Sequence, residues 1–150
     1  MRTPMMLAGA ALALTLAGCA AGPMESQNGA GVTEGETAYQ GSLPCRNCAG
    51  IDLDVRLQGE TPSAQATERT FTLQASYREH PQSPPDENYA GNWEILSGTA
   101  SDPEATVYEL TPEGEGQIYY FLKLDEQTLE LIDPQRRRFQ NSEMLRLRRL

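Results

Sequence analysis

Three cysteines carry most of the chemistry this 150-residue sequence offers, and their spacing divides them into one plus two. Cys19 ends Leu16-Ala17-Gly18-Cys19 behind an apolar N-terminal run, where a thiol following small residues is a lipid acceptor at a new N-terminus. Cys45 and Cys48 form a single Cys-x-x-Cys, bracketed by Pro44 and Gly50, just ahead of an alternating strand pattern. Proline fixes the backbone before the pair and glycine lets it turn afterwards, so the pair is expected on a tight loop between two strands.

Three chemistries stand open for that pair. An even pair in an exported chain suits a disulfide, closing a ring so small that it constrains the loop more than the fold. A thioredoxin-type catalyst would need Cys45 at a helix N-terminus within a βαβ unit. Here the following residues alternate as a strand, and Asp52 and Asp54 would disfavour a thiolate. Metal binding is the third. Structural zinc wants four nitrogen or sulfur ligands, and the sequence holds one histidine, His80, and no second cysteine pair. Cu(I), a soft ion, suits thiolate and thioether, so Cys45 and Cys48 could hold it with help from His80 or Met144. His80 lies in Glu79-His80-Pro81-Gln82-Ser83-Pro84-Pro85, a composition that equally suits a plain surface loop. No nucleophile elbow or glycine-rich phosphate loop is present, and the carboxylates are scattered on wet strand faces, so no enzyme is expected.

The elements around these residues begin with an export signal. Met1-Arg2 supplies the positive start, and residues 5–16 are an apolar run of about a dozen, short of the ~20 needed to span a bilayer. Residues 1–18 read as a lipoprotein signal peptide, and residues 19–38 as a lipidated flexible tether rich in Gly, Ser, Thr and Glu. A tether of about 19 residues has a root-mean-square span of roughly 25 Å. Each buried acyl CH2 contributes about 0.8 kcal/mol, so two or three chains anchor firmly without a transmembrane helix. Ala20 rather than an aspartate follows Cys19, which favours the outer membrane, facing the periplasm.

The formal net charge is −9, which disfavours nucleic acid as a partner. Basic residues gather late: Arg136, Arg137, Arg138, Arg146, Arg148 and Arg149 stand against Glu143 alone after Pro134. They either neutralise neighbouring acidic strands or form a patch for a phosphorylated lipid or acidic partner.

Residues 39–150 read as one domain of strands. Ile51, Leu53, Val55 and Leu57 alternate with Asp52, Asp54 and Arg56. Phe71, Leu73, Ala75 and Tyr77 alternate with polar neighbours in the same way. Trp93 and Ile95, Ile118 to Leu124 with Tyr119 and Phe121 opposite, Leu129 and Leu131, and Leu145 and Leu147 continue the pattern. Breaks fall at residues 59–66, 80–88, 98–104, 112–116 and 133–134. Ser101-Asp102-Pro103-Glu104 has the form of a capping box, allowing one helical turn at most. Seven or eight short strands with tight turns predict an all-β antiparallel barrel or sandwich, and the barrel is favoured because so regular a meander closes its own edges.

The opening of the domain carries a resemblance. Tyr39, Gly41, Leu43, Pro44, Cys45, Cys48, Gly50 and Ile51, followed by an alternating strand, resemble the start of the N-terminal domain of the NlpE family. Gly91-Asn92-Trp93 and residues 129–133 are similar to later pieces of that domain. The resemblance implies a lipocalin-like barrel in an outer-membrane lipoprotein linked to copper resistance and envelope stress. It also implies signalling to a sensor kinase of the Cpx type. Two departures stand out: longer members carry a second domain with its own cysteine pair, where this chain ends at Leu150. The family's alanine-aspartate between the cysteines is Arg46-Asn47 here. The expected function is therefore copper homeostasis and stress sensing through the Cys45–Cys48 loop. The alternative is a lipocalin-like binder of a small apolar ligand or lipid, with the cysteines a structural disulfide.

Overall fold

Alternation in the sequence becomes the pleat of a closed sheet. A computed structural model describes residues 35–150; Cys19, the signal peptide and most of the expected tether lie outside the described residues. Eight strands follow one another: β1 Glu36–Leu43, β2 Gly50–Gln58, β3 Thr70–Arg78, β4 Glu87–Ser97, β5 Thr106–Pro112, β6 Tyr119–Asp125, β7 Thr128–Ile132 and β8 Arg146–Arg149. Each pairs antiparallel with the next, and β8 closes on β1 through Tyr39 opposite Arg149 and Gln40 opposite Arg148. The all-β barrel expected from the strand pattern is the observed fold. Closure leaves no edge along most of the sheet, which an open meander would expose.

One side of the pleat fills the barrel. Tyr39, Leu53, Val55, Leu57, Phe71, Leu73, Ala75, Trp93, Tyr108, Leu110, Phe121, Leu129 and Leu147 form a single buried cluster. Trp93, Tyr39, Tyr108 and Phe121 are its largest fully buried side chains. Each aromatic ring of this kind buries about 150–250 Å², worth roughly 4–6 kcal/mol before the entropy of ordering is charged against it. Gly41 is required at the seam, because a Cβ there would stand 2.5 Å from the Arg146 carbonyl oxygen.

Three details refine the sequence expectations. β1 opens at Glu36, three residues inside the expected tether, because Glu36, Thr37 and Ala38 pair with Gln58, Leu57 and Arg56. Residues 101–104 form a turn, not a helical one: Thr99 Oγ1 accepts the Asp102 N–H at 3.0 Å, and Asp102 Oδ1 accepts the Glu104 N–H at 2.9 Å. The third is a second apolar cluster: Val107, Leu122 and Ile132, with Leu96, Ala105 and Tyr120 against them. These residues alternate with the inward ones and so face outward. The loops at 98–105 and 133–138 cover them, tied by the Ala100 N–H to the Arg136 carbonyl at 2.9 Å and by Arg136 Nη1 to the Ser97 and Gly98 carbonyls.

The late arginines serve this covering. Glu130 is fully buried on the outer face and accepts from Arg138 at 2.7 and 2.8 Å and from Arg146 at 3.2 Å. Arg137 pairs with Asp133, Arg148 donates to Thr128 Oγ1, and Arg149 donates to the Glu126 carbonyl. Arg137, Arg138 and Arg146 neutralise acids, and Arg136, Arg148 and Arg149 bond to neutral oxygens.

Candidate functional site

In an up-and-down barrel alternate connections open at the same end. The β1–β2 loop with Cys45 and Cys48, the β3–β4 loop with His80, and the β7–β8 connection with Met144 therefore share one end. The β2–β3 loop with Glu60 lies at the other. β1 enters at the Glu60 end and leaves at the cysteine end.

Cys45 and Cys48 are joined by a disulfide, with Cα atoms 5.3 Å apart. Both are half-buried, while Arg46 and Asn47 between them are exposed. Cys48 Sγ lies 3.5 Å from the Gly50 carbonyl oxygen and Cys45 Sγ 3.8 Å from Asn47 Oδ1. An oxidised sulfur has no proton to donate, so these are packing contacts. The expected loop between strands is observed, with its sulfurs at the rim rather than in the core.

Arg78 sets the base of that loop. Its Nε donates to Asp52 Oδ1 at 2.9 Å and its Nη2 to Ser42 Oγ at 2.6 Å, bridging β2 and β1 on either side of the loop. Its carbonyl accepts the Ala49 N–H at 2.9 Å. Gly50 is needed beneath it, because an added Cβ would overlap the guanidinium and approach Ser42 Oγ to 2.8 Å. Nothing in the linear sequence points to Arg78. The signal is its register opposite Gly50, which exists only once β2 and β3 pair. Asp52 and Asp54, expected to disfavour a thiolate, each have a cation partner: Arg78 for Asp52 and Arg56 for Asp54 at 2.9 Å.

The other candidate ligands stand apart in character. His80 Nδ1 accepts the Gln82 N–H at 3.0 Å, and its ring meets Tyr77 edge-on at 5.9 Å between centroids. Met144 is exposed in the 3-10 turn Ser142–Leu145. Among the described residues no group of three His, Cys, Asp or Glu side chains gathers round one point. A disulfide offers no thiolate, and the thiolate is the metal ligand. The donor set therefore fits a soft ion only when Cys45 and Cys48 are reduced.

The far end of the barrel is built for closure. Tyr39 and Tyr108 both donate their hydroxyls to Glu60 Oε2, at 2.7 and 2.8 Å. Burial, then Glu60, pushes the Tyr39 and Tyr108 hydroxyls far above the usual tyrosine range. Trp93 Nε1 donates to the Gln58 carbonyl at 2.9 Å and its ring meets Tyr108 at 4.7 Å. Arg69 lies over the Trp93 ring and holds the β2–β3 loop through the Gly59 and Thr61 carbonyls.

A closed eight-stranded meander with a cysteine pair on one rim defines a barrel module of the lipocalin-like class. The sequence model of the NlpE N-terminal domain matches residues 39–142, and the chain belongs to that family. The match takes in the cysteine loop and stops short of β8, the strand that closes the barrel. Comparison with curated proteins found no match, and neither did comparison with solved structures.

Proposed function

We propose that this is a lipid-anchored envelope protein of NlpE type, held through Cys19 at the outer membrane and facing the periplasm. Its Cys45–Cys48 loop serves copper homeostasis and stress sensing. Two-electron reduction by a dithiol of the envelope opens the disulfide to two thiols. Deprotonated, these offer two thiolates to Cu(I), and a membrane partner of the Cpx sensor-kinase type reads the state of the loop. Bound Cu(I) would supply a soft, positively charged bridge between the sulfurs. The chain's own part is to hold both sulfurs on one short loop, with Arg78 fixing its base and Arg56 and Arg78 offsetting the nearby carboxylates. The observation that carries this reading is the position of the pair: half-exposed at a rim, inside the stretch that matches the family.

The alternative of a hollow barrel around a small apolar ligand has Trp93, Tyr39, Tyr108 and Phe121 standing in the space the ligand would need. Titration of mildly reduced mature protein with Cu(I) tests the proposal. Binding of about one ion, abolished in Cys45→Ser with Cys48→Ser, is expected; equal binding by that double variant contradicts it.

A further inference from the structure

The large inward side chains at the cysteine end are less deeply buried than Tyr39, Trp93 and Tyr108 at the Glu60 end. Leu43, Ile51, Tyr77, Glu87, Tyr89 and Tyr119 occupy inward positions there, and all are half-buried. Beneath them Leu73, Ala75 and Phe121 are sealed from solvent. Tyr89 and Tyr119 stand 6.5 Å apart with planes tilted by 53°, and Tyr119 stacks on Phe121 at 6.2 Å. The β5–β6 loop closes on this group through Gly116, where a Cβ would stand 2.9 Å from the Tyr89 ring. Glu87 is the acid among them, directly opposite Ala75. It acts on its neighbours: burial first, then Glu87, raises the Tyr77 hydroxyl, and burial with Tyr89 and Glu87 pushes Tyr119 up to about 12. These residues have no role in the copper and redox reading, and none of them follows from it.

We propose that this mouth binds a small organic ammonium cation, with its charge against Glu87 and its alkyl groups against the rings of Tyr77, Tyr89 and Tyr119. Aromatic faces attract a weakly hydrated cation through their quadrupole, and the attraction grows where water is excluded. A neutral apolar ligand would cover Glu87 and leave the Tyr77 hydroxyl as the offset to the water its charge loses. An anion would meet that carboxylate and the net charge of −9. A hard metal ion would ask for six or more oxygen ligands, and one carboxylate among phenols does not supply them. The sealed floor limits the occupant to a head group.

Choline and its neutral isostere 3,3-dimethyl-1-butanol separate these outcomes. Mature protein carrying isotope-labelled tyrosine is titrated with each at matched ionic strength, and the ring resonances are followed by NMR. Choline is expected to shift Tyr77, Tyr89 and Tyr119 saturably, with the isostere about tenfold weaker or more. Glu87→Gln, which keeps the shape of the side chain, is expected to weaken choline by about tenfold and to leave the isostere unchanged. Tyr89→Leu should weaken choline too. Absence of a saturable shift with choline, equal binding of the two compounds, or an unaltered choline affinity in Glu87→Gln overturns the proposal. Because no thiol or copper takes part, a negative result here leaves the reading of Cys45 and Cys48 standing, and the converse holds.

Discussion

The two ends of the barrel are built on opposite principles. At the Glu60 end, Tyr39 and Tyr108 converge on one carboxylate, Trp93 locks onto the Gln58 carbonyl, and Arg69 lies across the indole. These side chains tie the β2–β3 loop to the barrel. At the cysteine end the loop rests on a single clamp, Arg78, and its two central residues touch mainly water. On the proposed reading, the interlocked end holds the barrel, and the rim loop is expected to change redox state without unfolding it.

Substitutions at the two ends should break along that line. The largest effect is expected from Trp93→Ala, which leaves a cavity beside Tyr108, removes the indole N–H that the Gln58 carbonyl accepts, and should cost about 3–5 kcal/mol in chemical denaturation. A loss under about 1 kcal/mol would contradict the role of this end. Glu60→Ala comes next. It strands two hydroxyls on otherwise buried rings, and because the cleft of about 550 Å³ beside Glu60 admits water, the cost should total about 2 kcal/mol, the low end per group. Glu60→Gln, which keeps an acceptor, should recover part of that loss.

Cys45→Ser with Cys48→Ser should cost at most about 2 kcal/mol, the chain-entropy limit for so short a ring. Far-UV circular dichroism should keep the barrel signature. Global unfolding of the double variant would mean the rim is structural after all.

A pH signature, absent near neutrality, sharpens the comparison. Tyr39, Tyr108 and Tyr119 have raised folded values, so the unfolded chain ionises first, near pH 10. Their contribution to stability is therefore whole below about pH 10 and is lost as pH rises through 10 toward and beyond 12. Absorbance at 295 nm should show Tyr119 ionising at about 12 and the Glu60-bound pair later still. Ionisation of all tyrosines together near pH 10 with the barrel intact would contradict the burial of these three hydroxyls.

Much of this fold was legible in the sequence. Strict alternation at Ile51 to Leu57 and Phe71 to Tyr77 reports the half-wet outer face of β2 and β3 directly, and Pro44 and Gly50 bracket the cysteine loop. Alternation fails where both faces are buried. Tyr120, Leu122 and Ile132 face outward under loops, so period-two logic has no wet side to read. Glu130 shows the same failure in reverse: it reads as a solvated position, yet it is sealed, because Arg138 and Arg146 return to it after a connection that no local pattern encodes. Glu60 and Arg78, the residues that hold the two ends, are single charged groups whose partners lie 21 to 48 positions away or across a register. Their roles exist only after strand pairing.

The proposed change of state at the rim pair is measured in the cell. Rapid acid quenching and thiol alkylation of the mature protein, with and without added copper, measure the redox state of Cys45 and Cys48. A fraction of free thiols is expected, which mild reductant raises, which copper protects from alkylation, and whose formation leaves the barrel folded. A pair that stays fully oxidised, resists mild reductant and ignores copper would make it a permanent staple and contradict the account.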